Sequence, residues 1–356
     1  AVATVDSLLL NGGKENFPGT IIMVIDESSG GDAIVARKDK LASLDDLKTR
    51  SGYKIAFTAG SPSEHLLKSI AVHFDVPPLR KWLGPVADQL ATYDIGAMNV
   101  IQHKQTDWAA NWKGGVDAFY EIYHLHAVHP ETQGVMDDRT QIDLYPNGMS
   151  RQFVPFGQPS PRFPDQFSVN DGIKMMLRDA GIDPDAFEGT AQDSRGAIQV
   201  AKRERAKRYG LDYDKFSDTQ LSDSTIYGIF PNVQIGCHPE AVFIHRFLPH
   251  PEDANRFTYD TCILFAHVDA PGYGPPAWMG LADGTDTTGM TRPEIERVPL
   301  GEPPNLGQVL DQDSELLPIV QKGSRSRGFR GPIWSEQEAR LRHFHAELDR
   351  YIDGEI

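Results

Sequence analysis

Cysteine is scarce in this 356-residue chain. Cys237 and Cys262 are the only two, so at most one disulfide can form and a disulfide-stapled scaffold is excluded. Sparse cysteine fits a reducing, cytoplasmic setting. Both thiols fall in runs that read as strands, residues 233–237 and 257–268, and are expected as buried free thiols. Long apolar runs are missing too: none approaches the roughly 18 residues of a membrane-spanning helix. The first residues, AVATVDSLLLNGG, carry neither a basic leading segment nor a long apolar core, so they do not read as a secretory signal. Basic charge is in deficit, 35 Lys and Arg against 50 Asp and Glu, with a net charge of -15. That balance argues against a general binder of nucleic acid or anionic membranes. No internal repeat or low-complexity tract occurs. What is present is a globular composition, 40% hydrophobic and 24% charged, enough for one large core or two domains.

The first 76 residues alternate in character. Runs at 19–26 and 32–37 read as strands, residues 43–48 open a helix with Ser43 as N-cap, and residues 53–60 form a third strand run. An amphipathic helix follows at 60–74, with Leu66, Leu67, Ile70 and Val72 on its apolar face. This order predicts a parallel sheet with ligands at the strand ends. In GGDAIVAR, SLDDLK and KIAFTAGSPSEHLL the segment resembles the first lobe of periplasmic solute-binding proteins of the nitrate, sulfonate and thiamine-precursor transporter type. The resemblance implies that the turn Gly60-Ser61-Pro62-Ser63 meets the ligand. It ends near Asp75, and most of the first lobe and all of the second have no counterpart.

From residue 77 the texture changes. Prolines 77, 78 and 85 interrupt a helical run, strands follow, and a helix is expected over residues 113–129. Residues 135–167 are proline-rich and read as loop. Helices are expected at 171–182 and 197–210, the second with a basic run at 202–208 that reads as a solvated face. Residues 224–268 alternate apolar and polar like strands of an antiparallel sheet. The tail is a helix opened by a capping box of Ser335 and Glu338, with Leu341, Phe344, Leu348, Tyr351 and Ile352 in one stripe.

Within the expected helix lies EIYHLHAVHP, residues 121–130. A non-haem Fe(II) site needs two neutral imidazoles and one carboxylate on one side of the metal, with the other positions open. His124 and His129 are five residues apart, which an ideal helix separates by about 140°. They converge only if the helix ends or bends between them, and Pro130 makes an ending plausible because the residue before proline avoids helical geometry. Glu121, one turn before His124, is placed to hold that histidine's other nitrogen. By itself an H-x4-H pair is weak and reads equally as a polar helix end.

The surrounding residues say more. Asn111, Trp112, Lys113, Glu121, Tyr123, His124, His129 and Pro130 together resemble the iron motif of Rieske-type aromatic-ring-hydroxylating oxygenases, in their large (alpha) subunit. The likeness continues through YGIFPNVQI and HRFLPHPED to VLDQDSELLPIVQKG at residues 309–323, where Asp313 stands eight residues before Gln321 and Gly323 follows. It covers residues 77–356. The resemblance implies an α+β, helix-grip domain, an antiparallel sheet around a long helix, preceded by the small α/β fragment at 1–76. It implies a mononuclear Fe(II) held by His124, His129 and Asp313, with Asp311 as a nearby competitor, and O2-dependent hydroxylation of an aromatic or similar apolar substrate. Glu121 takes the place of the acid that bridges to a neighbouring electron donor, and Asp117 takes a pocket position. Phe119, Tyr123, Phe230 and Asn232 are candidates to line the pocket, with plain core packing as the competing role. His126, between the ligands, reads as a surface or interface histidine. Trimerisation is implied as well.

Members of that family also carry a Rieske [2Fe–2S] cluster, held by C-x-H and C-x-x-H. Neither pattern occurs: His238 follows Cys237 directly, and Phe265 stands three residues after Cys262. Electrons would therefore come from an external Rieske or ferredoxin–reductase source. The alternatives are an inactive fusion or rearranged chain, acting as a small-molecule-binding module of the solute-binding type or as an iron-free pocket.

Overall fold

The structure is a computed structural model that describes residues 78–355 and three short strands nearer the N-terminus. Two compact units divide the chain, Ala1–Trp82 and Leu83–Ile356. In the first, β1 (Val2–Thr4), β2 (Thr20–Val24) and β3 (Asp32–Ala36) form a sheet in the order β1-β3-β2. Both pairings are antiparallel, which corrects the parallel sheet expected from the sequence. The reason is connection length: Val24 and Asp32 are too close along the chain for the dozen or more residues a parallel crossover needs. The helix capped by Ser43, the strand at 53–60, the helix at 60–74 and the Gly60–Ser63 turn lie outside the described residues.

The second unit is α+β, as the sequence predicts. Its strands are β4 (Asn99–Trp108), β5 (Gln141–Leu144), β6 (Ser150–Val154), β7 (Ser224–Ile229), β8 (Val233–Cys237), β9 (Ala241–Pro249), β10 (Phe257–Phe265) and β11 (Glu296–Val298). They form one sheet in the order β11-β4-β10-β9-β8-β7-β6-β5. All neighbours are antiparallel except β11, which lies parallel to β4. β5 and β6 occupy a stretch expected to be loop. The prolines there sit outside the paired residues, Pro146 in the hairpin turn and Pro155 just past β6, so no ladder hydrogen bond is lost.

After a short helical turn at Leu79–Leu83, the helices are α1 (Pro85–Ala91), α2 (Trp112–Tyr120), α3 (Leu125–Val128), α4 (Asp171–Ala180), α5 (Ala191–Arg208), α6 (Asp218–Ser222), α7 (Gln308–Ser324) and α8 (Ala339–Ile352). The capping box of Ser335 and Glu338 is present, with a short 3-10 turn leading into α8. α8 buries Leu341 and Phe344 but leaves Tyr351 and Ile352 largely exposed, so the expected stripe is buried at its N-terminal end only. The basic run on α5 is partly committed inward: Lys202 pairs with buried Glu240 at 2.7 Å, and the Arg205 guanidinium lies 5.3 Å from the Tyr273 ring. Among the described residues no helix is long and apolar enough to cross a membrane.

The helix that matters most to the site is α2, which lies on the inner face of β9 and β10. Gly115 permits this, since a Cβ there would stand 2.7 Å from Phe257 Cζ and 2.9 Å from Phe247 Cδ1. One turn on, Phe119 packs edge-on to Phe247 at 5.1 Å and against Tyr259 at 5.4 Å. Burial of each such ring contributes roughly 1.5–3 kcal/mol. On the other side of α2, Phe344 of α8 closes against Trp112 and Tyr120. Arg340 is fully buried there, donating to Ser150 Oγ at 3.0 Å and Gln152 Oε1 at 2.6 Å, with its guanidinium 4.3 Å from the Tyr120 ring. Burial pushes its pKa down to about 10, so it still carries its charge at neutral pH. Cys237 and Cys262 are free thiols on β8 and β10, the first buried and the second partly so.

Candidate metal centre

Residues 113–129 do not form the single helix that the sequence suggests. α2 stops at Tyr120, and Glu121 is extended, with φ -128 and ψ 163. His124 opens α3 in helical geometry, and His129 closes it at φ -125 and ψ 57, immediately before Pro130. Proline excludes helical geometry from the residue before it, which accounts for the second break. Glu121 supports the first: its Oε2 accepts the His124 N–H at 3.2 Å, which ties the start of the new turn to the extended residue before it. Breaking the helix at both ends is what brings the two imidazoles to one place. Their ring centroids are 5.2 Å apart.

The third member arrives on α7. This helix is tied to the start of α2 by Gln321, whose Oε1 accepts the Asn111 N–H at 3.1 Å. Asn111 in turn caps α2 by accepting the Lys113 N–H at 3.0 Å. The Asn111 landmark and Gln321 thus meet each other and set Asp313 over the histidines. Asp313 Oδ1 is 3.1 Å from His129 Nε2 and 4.0 Å from His124 Nε2. One donor atom from each of His124, His129 and Asp313 lies within 4.8 Å of the other two. Asp311 is turned elsewhere, its Oδ1 accepting the Leu306 N–H at 2.9 Å.

The outer nitrogens are held by acceptors. His124 Nδ1 is 2.5 Å from Glu121 Oε1, and His129 Nδ1 is 2.6 Å from Gln312 Oε1. A carboxylate and an amide oxygen accept, so both Nδ1 atoms carry a hydrogen, and each Nε2, turned inward, can give its lone pair to a metal when the ring is neutral. Two imidazoles with Nδ1 held and Nε2 turned inward, together with one carboxylate, fit a divalent iron. His129 and Asp313 are buried, at 0% and 6% exposure. Burial works against a proton on His129, but its hydrogen bonds to Asp313 and Gln312 outweigh that and raise its pKa above the ordinary imidazole value. Iron at Nε2 would compete with a proton for the same lone pair. Gln312 carried no signal in the sequence; only the helical phase of α7 makes it a neighbour of His129.

The remaining candidates have distinct places. A cleft of about 960 Å³ runs beside the group, lined among others by Asp117, Glu121, Tyr123, His124, Asp313 and Trp334. Asp117 Oδ1 accepts from His345 Nε2 at 2.8 Å, and the Tyr123 hydroxyl donates to Glu338 Oε1 at 3.2 Å. Phe119 faces the sheet. Phe230 packs on Phe344 and stacks on Tyr351 at 5.3 Å, and Asn232 Nδ2 donates to the Phe247 carbonyl at 3.1 Å. Both of these serve the β7–β8 turn, and neither is among the residues lining the cleft. His126 is partly exposed, with Nδ1 3.9 Å from Asp138.

The catalytic-domain model of ring hydroxylating alpha subunits matches residues 95–354. The chain belongs to this family. No curated protein sequence matches it. Among solved structures, a quaternary ammonium Rieske monooxygenase in complex with L-carnitine aligns at 15% identity and a TM-score of 0.45, covering 77% of this chain and 55% of that one. Naphthalene 1,2-dioxygenase with indole bound in the active site aligns at 14% identity and a TM-score of 0.45, covering 78% and 60%. Dicamba monooxygenase bound to 3,6 dichlorosalicylic acid aligns at 12% identity and a TM-score of 0.38, covering 83% and 66%. The chain thus spans 55% and 60% of the length of the first two.

Proposed function

We propose that the domain binds one Fe(II) through His124, His129 and Asp313 and hydroxylates an aromatic or similar apolar substrate with O2. The carrying observation is the convergence of both Nε2 atoms on Asp313 while both Nδ1 atoms are held by acceptors. When bound, the iron supplies the activation of O2. The protein does the rest: Glu121 and Gln312 fix the imidazole orientations, and the aromatic inner face around Phe119 positions the substrate and excludes water. Glu121 borders the cleft and bonds His124, a placement that suits it to pass electrons from an external Rieske or ferredoxin-type donor. A homotrimer would bring such neighbours together. The finer fold reading, a helix-grip domain, is supported by α2 lying across the inner face of β9 and β10. Assignment of residues 1–76 to a solute-binding-type fragment and of 77–356 to the oxygenase domain belongs to the same proposal.

The test is turnover. Iron-loaded protein supplied with O2, a ferredoxin–reductase pair and a panel of small aromatics should consume oxygen and release hydroxylated product, and Asp313→Ala should abolish both. Iron-loaded protein that forms no product from any member of the panel would favour a binding module on an oxygenase scaffold.

A further inference from the structure

On the inner face of the sheet, the metal group gives way to a row of rings that the ligand set does not use. Phe243, His245 and Phe247 share the inner face of β9, and Tyr259 and Thr261 share that of β10, with His245 directly opposite Thr261. Phe247 is sealed under α2, but Phe243 and His245 are not packed shut: both keep intermediate exposure on a central strand. Around the imidazole stand the rings of Phe119 at 5.6 Å, Tyr259 at 5.7 Å and Phe243 at 6.5 Å. A ring on a central strand, on the face that α2 covers, keeps such exposure where it borders a space between helix and sheet. Phe119 links that space to the metal group, since its ring is 5.6 Å from His245 and it stands two residues before Glu121.

The hydrogen bonding of His245 is one-sided. Its Nδ1 is 2.6 Å from the Tyr259 hydroxyl and 3.3 Å from Thr261 Oγ1, while Nε2 has no partner among the described residues. A neutral phenol is the better donor and an imidazole nitrogen the better acceptor, so Tyr259 donates to Nδ1. The hydrogen of His245 then sits on Nε2. Burial keeps the ring neutral by pushing its pKa down to about 4, and burial together with the Asp313 charge holds the Tyr259 phenol well above its ordinary value.

We propose that His245 is the polar anchor of the substrate pocket, donating its Nε2–H to an uncharged acceptor oxygen, such as an aryl ketone carbonyl, on an otherwise aromatic substrate. The rest of the wall is rings: Phe243, Phe119 and Tyr259 flank the imidazole. A neutral imidazole cannot offset a carboxylate in such surroundings, so the class is an uncharged one. The proposal rests on the oxygenase reading only in calling the occupant a substrate, because the donor and the pocket do not depend on iron.

Two measurements test it. Nitrogen NMR of histidine-labelled protein at neutral pH should show His245 neutral with its hydrogen on Nε2; a hydrogen on Nδ1, or a charged ring, overturns the proposal. Binding is then compared for acetophenone against α-methylstyrene, and for methyl naphthyl ketone against its isopropenyl analogue, pairs that differ by O for CH2. The ketone of at least one pair should bind about fivefold to tenfold more tightly, the worth of one net hydrogen bond. That preference should vanish in His245→Phe, which keeps a ring, and return in part in His245→Gln, which keeps a donor. Absence of a ketone preference in both pairs, including failure of all four to bind, overturns it. Iron per chain is read on the same samples. Iron-free protein that still prefers the ketone would sink the oxygenase reading and leave this one standing. Iron-loaded protein without the preference would do the reverse.

Discussion

Two pairs of histidines in this protein are nearly opposite in design. His124 and His129 each have an acceptor on Nδ1 and a carboxylate facing Nε2. His238 and His245 are set among rings, His238 against Trp278 at 4.6 Å and His245 stacked on Tyr259 at 5.7 Å. Deep burial drives both of the second pair down to about 4, whereas partner acceptors raise His129. Burial alone therefore does not make a histidine a ligand candidate. An acceptor that fixes the tautomer, and an anion where the metal charge would sit, do.

The comparison breaks most completely if the first pair is dispensable. His129→Ala removes one of three donors, and its iron content after anaerobic loading should fall from about one per chain to none, read by metal analysis. Gln312→Ala leaves all three donors but frees the His129 ring; iron affinity should weaken about tenfold to a hundredfold, as loss of an orienting partner does, in a competitive chelator titration. His238→Phe should leave iron content unchanged. It should also lower acid sensitivity: a histidine whose folded pKa is depressed contributes stability above its unfolded value of about 6.5 that is lost as pH falls toward about 4. The variant should gain about 1–3 kcal/mol over the parent at pH ~4.5 relative to neutral pH, measured by denaturant titration at both. Smallest of all, Asp311→Asn should keep its iron and change stability by no more than about 1 kcal/mol, since its carboxylate only caps Leu306.

Legibility in the sequence followed the same division. Residues that act through a local pattern were readable: the alternating strands β7 to β10, the capping box before α8, and the pairing of Glu121 with His124. The convergence of His124 and His129 was readable only as a condition, that the helix must break, and the structure breaks it at 121–124 and again at His129. What was not readable depends on contacts between distant segments. Gln312 meets His129 across the fold, and Gln321 meets Asn111, without any spacing rule that announces either. α7 was hidden for a local reason: Pro318 lies inside it, removing one backbone donor, yet the helix is kept by its packing on α2 and β4. The antiparallel β2–β3 pair was legible in principle from its short connection and was missed because strand and helix alternation was weighed instead.

The most direct test of the central claim is iron per chain after anaerobic Fe(II) loading, for the parent and for His129→Ala, with His238→Phe as the matched control. About one iron in the parent and in His238→Phe, and none in His129→Ala, is the result the geometry predicts. A parent that takes up no iron, or a His129→Ala variant that loads as well as the parent, would contradict it.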